Sequence, residues 1–112
     1  MKLVRASTGA VLAADLRTAR TPLARMRGLM GRTNMPGDGL VITPADSIHT
    51  AFMRMPIDLI FLARDGRVIK LCPAVPPWRL RLAPRGAHVV LELPATFIAR
   101  HALQPGERME LA

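Results

Sequence analysis

The sequence predicts a mainly β fold, a small sandwich or distorted barrel of about seven to nine short strands with one or two short helices. Three observations predict it. Apolar runs of strand length recur at intervals of about eight to twelve residues. Turn residues separate them, with eight glycines and ten prolines in the chain. Half of the 112 residues are apolar, which suffices for the core of a single domain over residues 1–112.

Residues 2–6 and 10–14 flank Ser7, Thr8 and Gly9 and read as a short hairpin. Thr21 offers an N-cap, Pro22 suits the first helical position, and Leu23, Met26 and Met30 recur at helical spacing, so a short helix is expected over residues 22–32. Pro36, Gly37, Asp38 and Gly39 end that element and deliver the chain into a strand at residues 40–42. Residues 48–53 read as a strand, Pro56 interrupts, and residues 57–63 read as the next. Asp65 and Gly66 supply the positive φ of a tight turn, and residues 68–75 return as the partner. Pro76 and Pro77 stop that strand, residues 78–82 add a short one, and Pro84, Arg85 and Gly86 turn the chain into residues 88–93. Pro94 opens a short helix reaching His101, and Pro105 with Gly106 turns into a last strand at residues 109–111.

Composition narrows the function classes. Sixteen basic residues, fourteen of them arginine, stand against eight acidic ones, for a net charge of +8. That balance favours an anionic partner, because arginine pairs bidentately with carboxylate and phosphate. Nucleic acid is the less favoured anion: three Phe, one Trp and no Tyr leave little for base stacking, and no nucleic-acid motif is present. Cys72 is the single cysteine, so neither a disulfide nor a thiolate metal pair forms within the chain. His49, His88 and His101 lack metal-ligand spacing, and no cofactor fingerprint appears, so no metal and no cofactor are expected. The N-terminal apolar run is broken by Asp15, which fits neither a signal peptide nor a membrane span and predicts a cytoplasmic chain. Oligomeric state is not encoded in any of these features.

Candidate site residues lie where polar groups interrupt apolar strands. Asp58 shares a strand face with Ile60 and Leu62, and Glu92 shares one with His88 and Val90. His49 alternates with Ile48 and Thr50. A buried carboxylate must find donors, and for Asp58 backbone N–H groups are the plainest source. Glu92 calls for an arginine, while His88 and His101 read as surface residues.

Gly28, Leu29, Met30, Gly31 and Arg32, then Ser47 to Thr50, Met53, Pro56 to Leu62, Pro77 to Arg79, and Val90 to Leu93 resemble, in order, the family called domain of unknown function 192 (uncharacterised protein family 0127). The likeness runs from about Thr21 to Leu111. It implies a mainly β, sandwich-like fold and marks Gly28, Leu29, Met30, Arg32, His49, Thr50, Met53, Pro56, Asp58 and Glu92 as motif positions. Two departures stand out. Ala45 occupies a place where many relatives carry cysteine, and Thr96 follows Ala95 where relatives tend to have glycine, which tolerates backbone angles that threonine resists.

Three functional readings follow. The first is a polar pocket or groove for a small molecule or peptide, formed where His49, Thr50 and Met53 meet Asp58, with Arg27 or Arg32 nearby, Glu92 adjoining, and Trp78 and Arg79 as a rim. In the second, an enzyme uses His49 as general base oriented by Asp58 or Glu92. The third is an interaction module with a protein partner, built on Trp78, Arg79 and Arg81, since Trp and Arg are the side chains that dominate binding hot spots. The alternative for Trp78 is to cover one end of the β structure.

Overall fold

A strand buried on both faces reads as a continuous apolar run, and residues 57–62 are such a run. In the computed structural model, which describes residues 1–19, 34–45, 47–51 and 53–112, every residue of this stretch is buried and it lies inside a sheet. Ten strands occur among the described residues: β1 (Leu3–Arg5), β2 (Val11–Ala13), β3 (Leu16–Ala19), β4 (Gly39–Ile42), β5 (Ile48–His49), β6 (Ile57–Leu62), β7 (Val68–Val75), β8 (Leu80–Arg81), β9 (Val89–Pro94) and β10 (Met109–Leu111). A single turn of helix, α1 (Phe97–Arg100), follows β9.

The central sheet has the order β3-β4-β9-β6-β7, parallel only between β3 and β4. A second sheet, β10-β1-β2, joins the two ends of the chain, and β5 pairs with β8 as a separate two-stranded ribbon. No barrel closes. Side-chain alternation gives the central sheet two covered faces. On the first, Ile60, Leu62, Leu91 and Leu93 pack with Leu3, Met109, Phe97 and Ile98. On the second, Leu59, Phe61, Val90 and Leu40 pack with Ile48, Met53 and Met55. Each such side chain contributes about 1.5–3 kcal/mol by leaving water, which is why the two-sided strands β4, β6 and β9 hold the centre.

Two glycines set close approaches. A Cβ on Gly39 would stand 2.5 Å from the Glu92 carbonyl oxygen, and one on Gly66 would overlap that of Met109. Gly39 therefore lets β4 lie against β9, and Gly66 lets the β6–β7 turn dock on β10.

Several elements differ from the sequence reading. The strand expected over residues 48–53 ends at His49, because Thr50 turns the chain to bond with residues 76–79. The last helix begins at Phe97, since Pro94 completes β9. β3 has no counterpart in the sequence reading. The helix expected over residues 22–32 lies outside the described residues. Among the described residues no helix is long and apolar enough to cross a membrane.

Candidate functional site

Thr50 is fully buried, and all three of its polar atoms are used. Its N–H donates to the Arg79 carbonyl at 2.8 Å, and its carbonyl accepts from the Trp78 N–H at 3.1 Å and the Met53 N–H at 3.2 Å. The hydroxyl donates to the Pro76 carbonyl at 2.7 Å and accepts from the Arg79 N–H at 2.8 Å. One side chain thereby clamps the loop of Pro76, Pro77 and Trp78 to the end of β5. The clamped loop holds Trp78 at φ 63°, a left-handed conformation that a bulky residue seldom takes.

The indole is displayed and not packed away: Trp78 is 61% exposed, with Leu80 at 58% and Leu82 at 64%. In the ribbon, His49 stands opposite Leu80 and Ile48 opposite Arg81, so exposed His49 and Leu80 share the outer face while buried Ile48 turns inward. The Arg79 and Arg81 guanidinium groups donate to the neighbouring carbonyls of Trp78 and Leu80, and neither makes an ion pair among the described residues. Between Asp65 and Glu92 the sequence has Arg67, Lys70, Arg79, Arg81 and Arg85 and no acidic residue. The result is an apolar patch in a positive field.

Asp58 sits elsewhere. It pairs with Leu93 across β6–β9 and faces the first layer, fully buried. Its Oδ1 accepts from the Ala74 N–H at 2.7 Å and its Oδ2 from the Ile98 N–H at 2.8 Å. Ala74 belongs to a bulge, at φ 48°, where Ile57 opposes Val75 but Leu59 opposes Cys72. The carboxylate thus fixes the bulge of β7 and the start of α1, the backbone role expected of it. Glu92 pairs with Leu59 and Leu40, so it faces the second layer, fully buried and engaged in a polar interaction of its own.

The sheet therefore brings His49, Thr50, Trp78 and Arg79 together, places Met53 and Glu92 in the layer beneath them, and leaves Asp58 on the opposite face. A His49 base oriented by Asp58 would need both on one face. Trp78 is 61% exposed, so the alternative of an end-cap buried over the β structure is not what the described residues show. Arg27 and Arg32, with Gly28, Leu29 and Met30, lie outside the described residues. His88 and His101 are half-buried instead of surface residues. Cys72 is buried and free, and burial pushes its thiol up, with Lys70 and Arg81 opposing the shift. No group of three or more metal-ligating side chains occurs among the described residues. Leu80 and Leu82 are site residues that the strand reading passed over, although their alternation with Arg79 and Arg81 is visible in the sequence.

The model of the family DUF192, described as an uncharacterised ACR, matches residues 3–111. The chain is 30% identical to a UPF0127 protein of Pyrococcus furiosus, covering 96% of each. It is 34% identical to a UPF0127 protein of Thermococcus sibiricus over 86% of this chain, and spans 65% of the length of that relative. Among solved structures, it is similar to a proposed transcription regulator from Sinorhizobium meliloti 1021, with a TM-score of 0.81 and 27% identity over 97% of this chain and 89% of that one. A protein of unknown function from Novosphingobium aromaticivorans is similar at a TM-score of 0.79 and 26% identity, covering 98% and 82%.

Proposed function

The chain belongs to the DUF192 family, and we propose that it is a recognition module that binds an acidic, extended peptide segment of a protein partner across the face carrying His49, Trp78, Arg79, Leu80 and Leu82. The observation that carries this reading is the display of Trp78. Left-handed backbone at a bulky residue costs about 1–3 kcal/mol, and it persists only when its surroundings impose it. Here Thr50 imposes it, and the outcome is a Trp78 that is 61% exposed instead of buried in the core. Aromatic and apolar side chains surrounded by arginine are the composition of a binding hot spot.

Charge selects the partner. A second copy of the chain would set arginine against arginine across this face, whereas glutamates and aspartates would meet the exposed Arg79, which makes no ion pair among the described residues. A polynucleotide would satisfy the charge but not Leu80 and Leu82, which offer no ring for a base to stack on.

Trp78 is the only tryptophan, so its emission reports on this face alone. Titration with a peptide of alternating glutamate and leucine is expected to shift that emission to the blue, saturably and less at high salt. The same peptide with lysine for glutamate leaves it unchanged. Trp78→Gly relieves the backbone strain, so it is expected to abolish binding of a labelled peptide while leaving thermal stability equal or higher by about 1 kcal/mol. Unchanged emission with the acidic peptide, or saturation by an oligonucleotide alone, overturns the proposal.

A further inference from the structure

On the opposite face of the central sheet, a cleft of about 370 Å³ opens between β2 and α1. Its walls are apolar: Val11, Leu12, Pro94 and Phe97 line it, and Val11 is 53% exposed, a β-branched side chain left facing water. Its cation comes from α1, and a histidine follows it. Arg100 is exposed, its guanidinium lies 5.8 Å from the centroid of the Phe97 ring, and it makes no ion pair among the described residues. His101 rests against the same ring with centroids 4.5 Å apart, and its carbonyl accepts from the Arg5 guanidinium, which anchors it.

These groups are held in place at some cost. A four-residue helix is unstable alone, and α1 is fixed by burial of Phe97 and Ile98 and by the Asp58 carboxylate on the Ile98 N–H. Burial holds the His101 imidazole below its usual range, and the charges of Arg100 and Arg5 push it the same way, a shift that a carboxylate bound beside it would oppose. Across the cleft lies Asp38, whose Oδ2 accepts from the N–H groups of Ala14 and Asp15. Its negative charge disfavours a dianion such as phosphate at that end.

We propose that this cleft binds a monocarboxylate with an apolar body, the carboxylate between Arg100 and His101 and the body along Val11, Leu12 and Pro94. Such a group is carried by a short-chain free acid and by the C-terminal leucine of a peptide. A lone guanidinium above an aromatic face recognises one carboxylate well, and the apolar wall supplies what a bare acetate lacks.

Histidine ring resonances of the full chain, assigned with His101→Gln, test this. Hexanoate, for the free acid, and N-acetylleucine, for the peptide end, are titrated in parallel with acetate and hexanol. At least one of the two amphiphilic acids is expected to shift the His101 resonance saturably and raise its titration midpoint, and the tighter of the two identifies the source. Acetate, lacking the body, and hexanol, lacking the charge, bind at least about tenfold more weakly. Arg100 is exposed, so Arg100→Gln keeps the fold, checked by an unchanged spectrum elsewhere, and weakens the acid by about tenfold, the worth of one charge-assisted hydrogen bond. No saturable shift with either acid, equal binding of hexanol, or undiminished binding to Arg100→Gln overturns the proposal.

Discussion

Thr50 shows how much one residue can organise. Its partners lie 26 and 29 residues away, so the sequence could mark the position through family resemblance but not its role, which depends on a loop brought back from the far side of β7. His49 was legible as a candidate, yet its exposure was not, because a strand read as six residues long stops after two. Thr96 is the contrary case. The family resemblance flagged it as a threonine where relatives favour glycine, and the chain there has φ 79°, left-handed backbone that a β-branched residue resists. Thr96 is exposed and its side chain makes no cap hydrogen bond. Thr96→Gly is therefore expected to raise stability by about 1 kcal/mol, read as a higher urea midpoint at unchanged slope.

Elements with strong turn signals at both ends, β6, β7 and β9, were legible because proline and glycine bound them. β3 was not, since Leu16, Arg17, Thr18 and Ala19 bury only their first and last residues and no turn signal sets them off from Asp15. It exists because β4 offers a parallel partner in register, Leu16 opposite Gly39 through Ala19 opposite Ile42. Asp58 works at this scale, since it ties β6 to the bulge of β7 and to α1. Asp58→Ala removes both acceptors and leaves the Ile98 N–H without a partner in the core and the Ala74 N–H without one at the exposed bulge. A loss of about 3–5 kcal/mol is expected by urea denaturation, with amide exchange quickening first at Ile98 and Ala74. A loss below about 1 kcal/mol would mean that packing of Phe97 and Ile98 holds α1 unaided.

At the scale of the molecule the central sheet acts as a partition. Within each strand the sequence shows which residues share a face, but only pairing shows which faces coincide between strands. Leu59 opposite Glu92 settles that, and sets Asp58 and Glu92 back to back. The radius of gyration, 12.6 Å, is that of a compact chain of this size, so both faces are within a short distance of each other and still chemically separate. The first and last strands are paired as well: the Lys2 N–H donates to the Ala112 carbonyl at 2.7 Å and the Ala112 N–H to the Lys2 carbonyl at 3.0 Å. Because β1 and β10 run antiparallel from adjacent ends, tension applied through residues 1 and 112 loads their hydrogen bonds one at a time and not all together. Force spectroscopy is expected to find β10 peeling away at low force before the five-stranded sheet yields, a single early extension that a cross-link between positions 3 and 111 abolishes. Under load, the domain behaves as a latch that opens at its ends, uncovering Met109, before the central sheet yields.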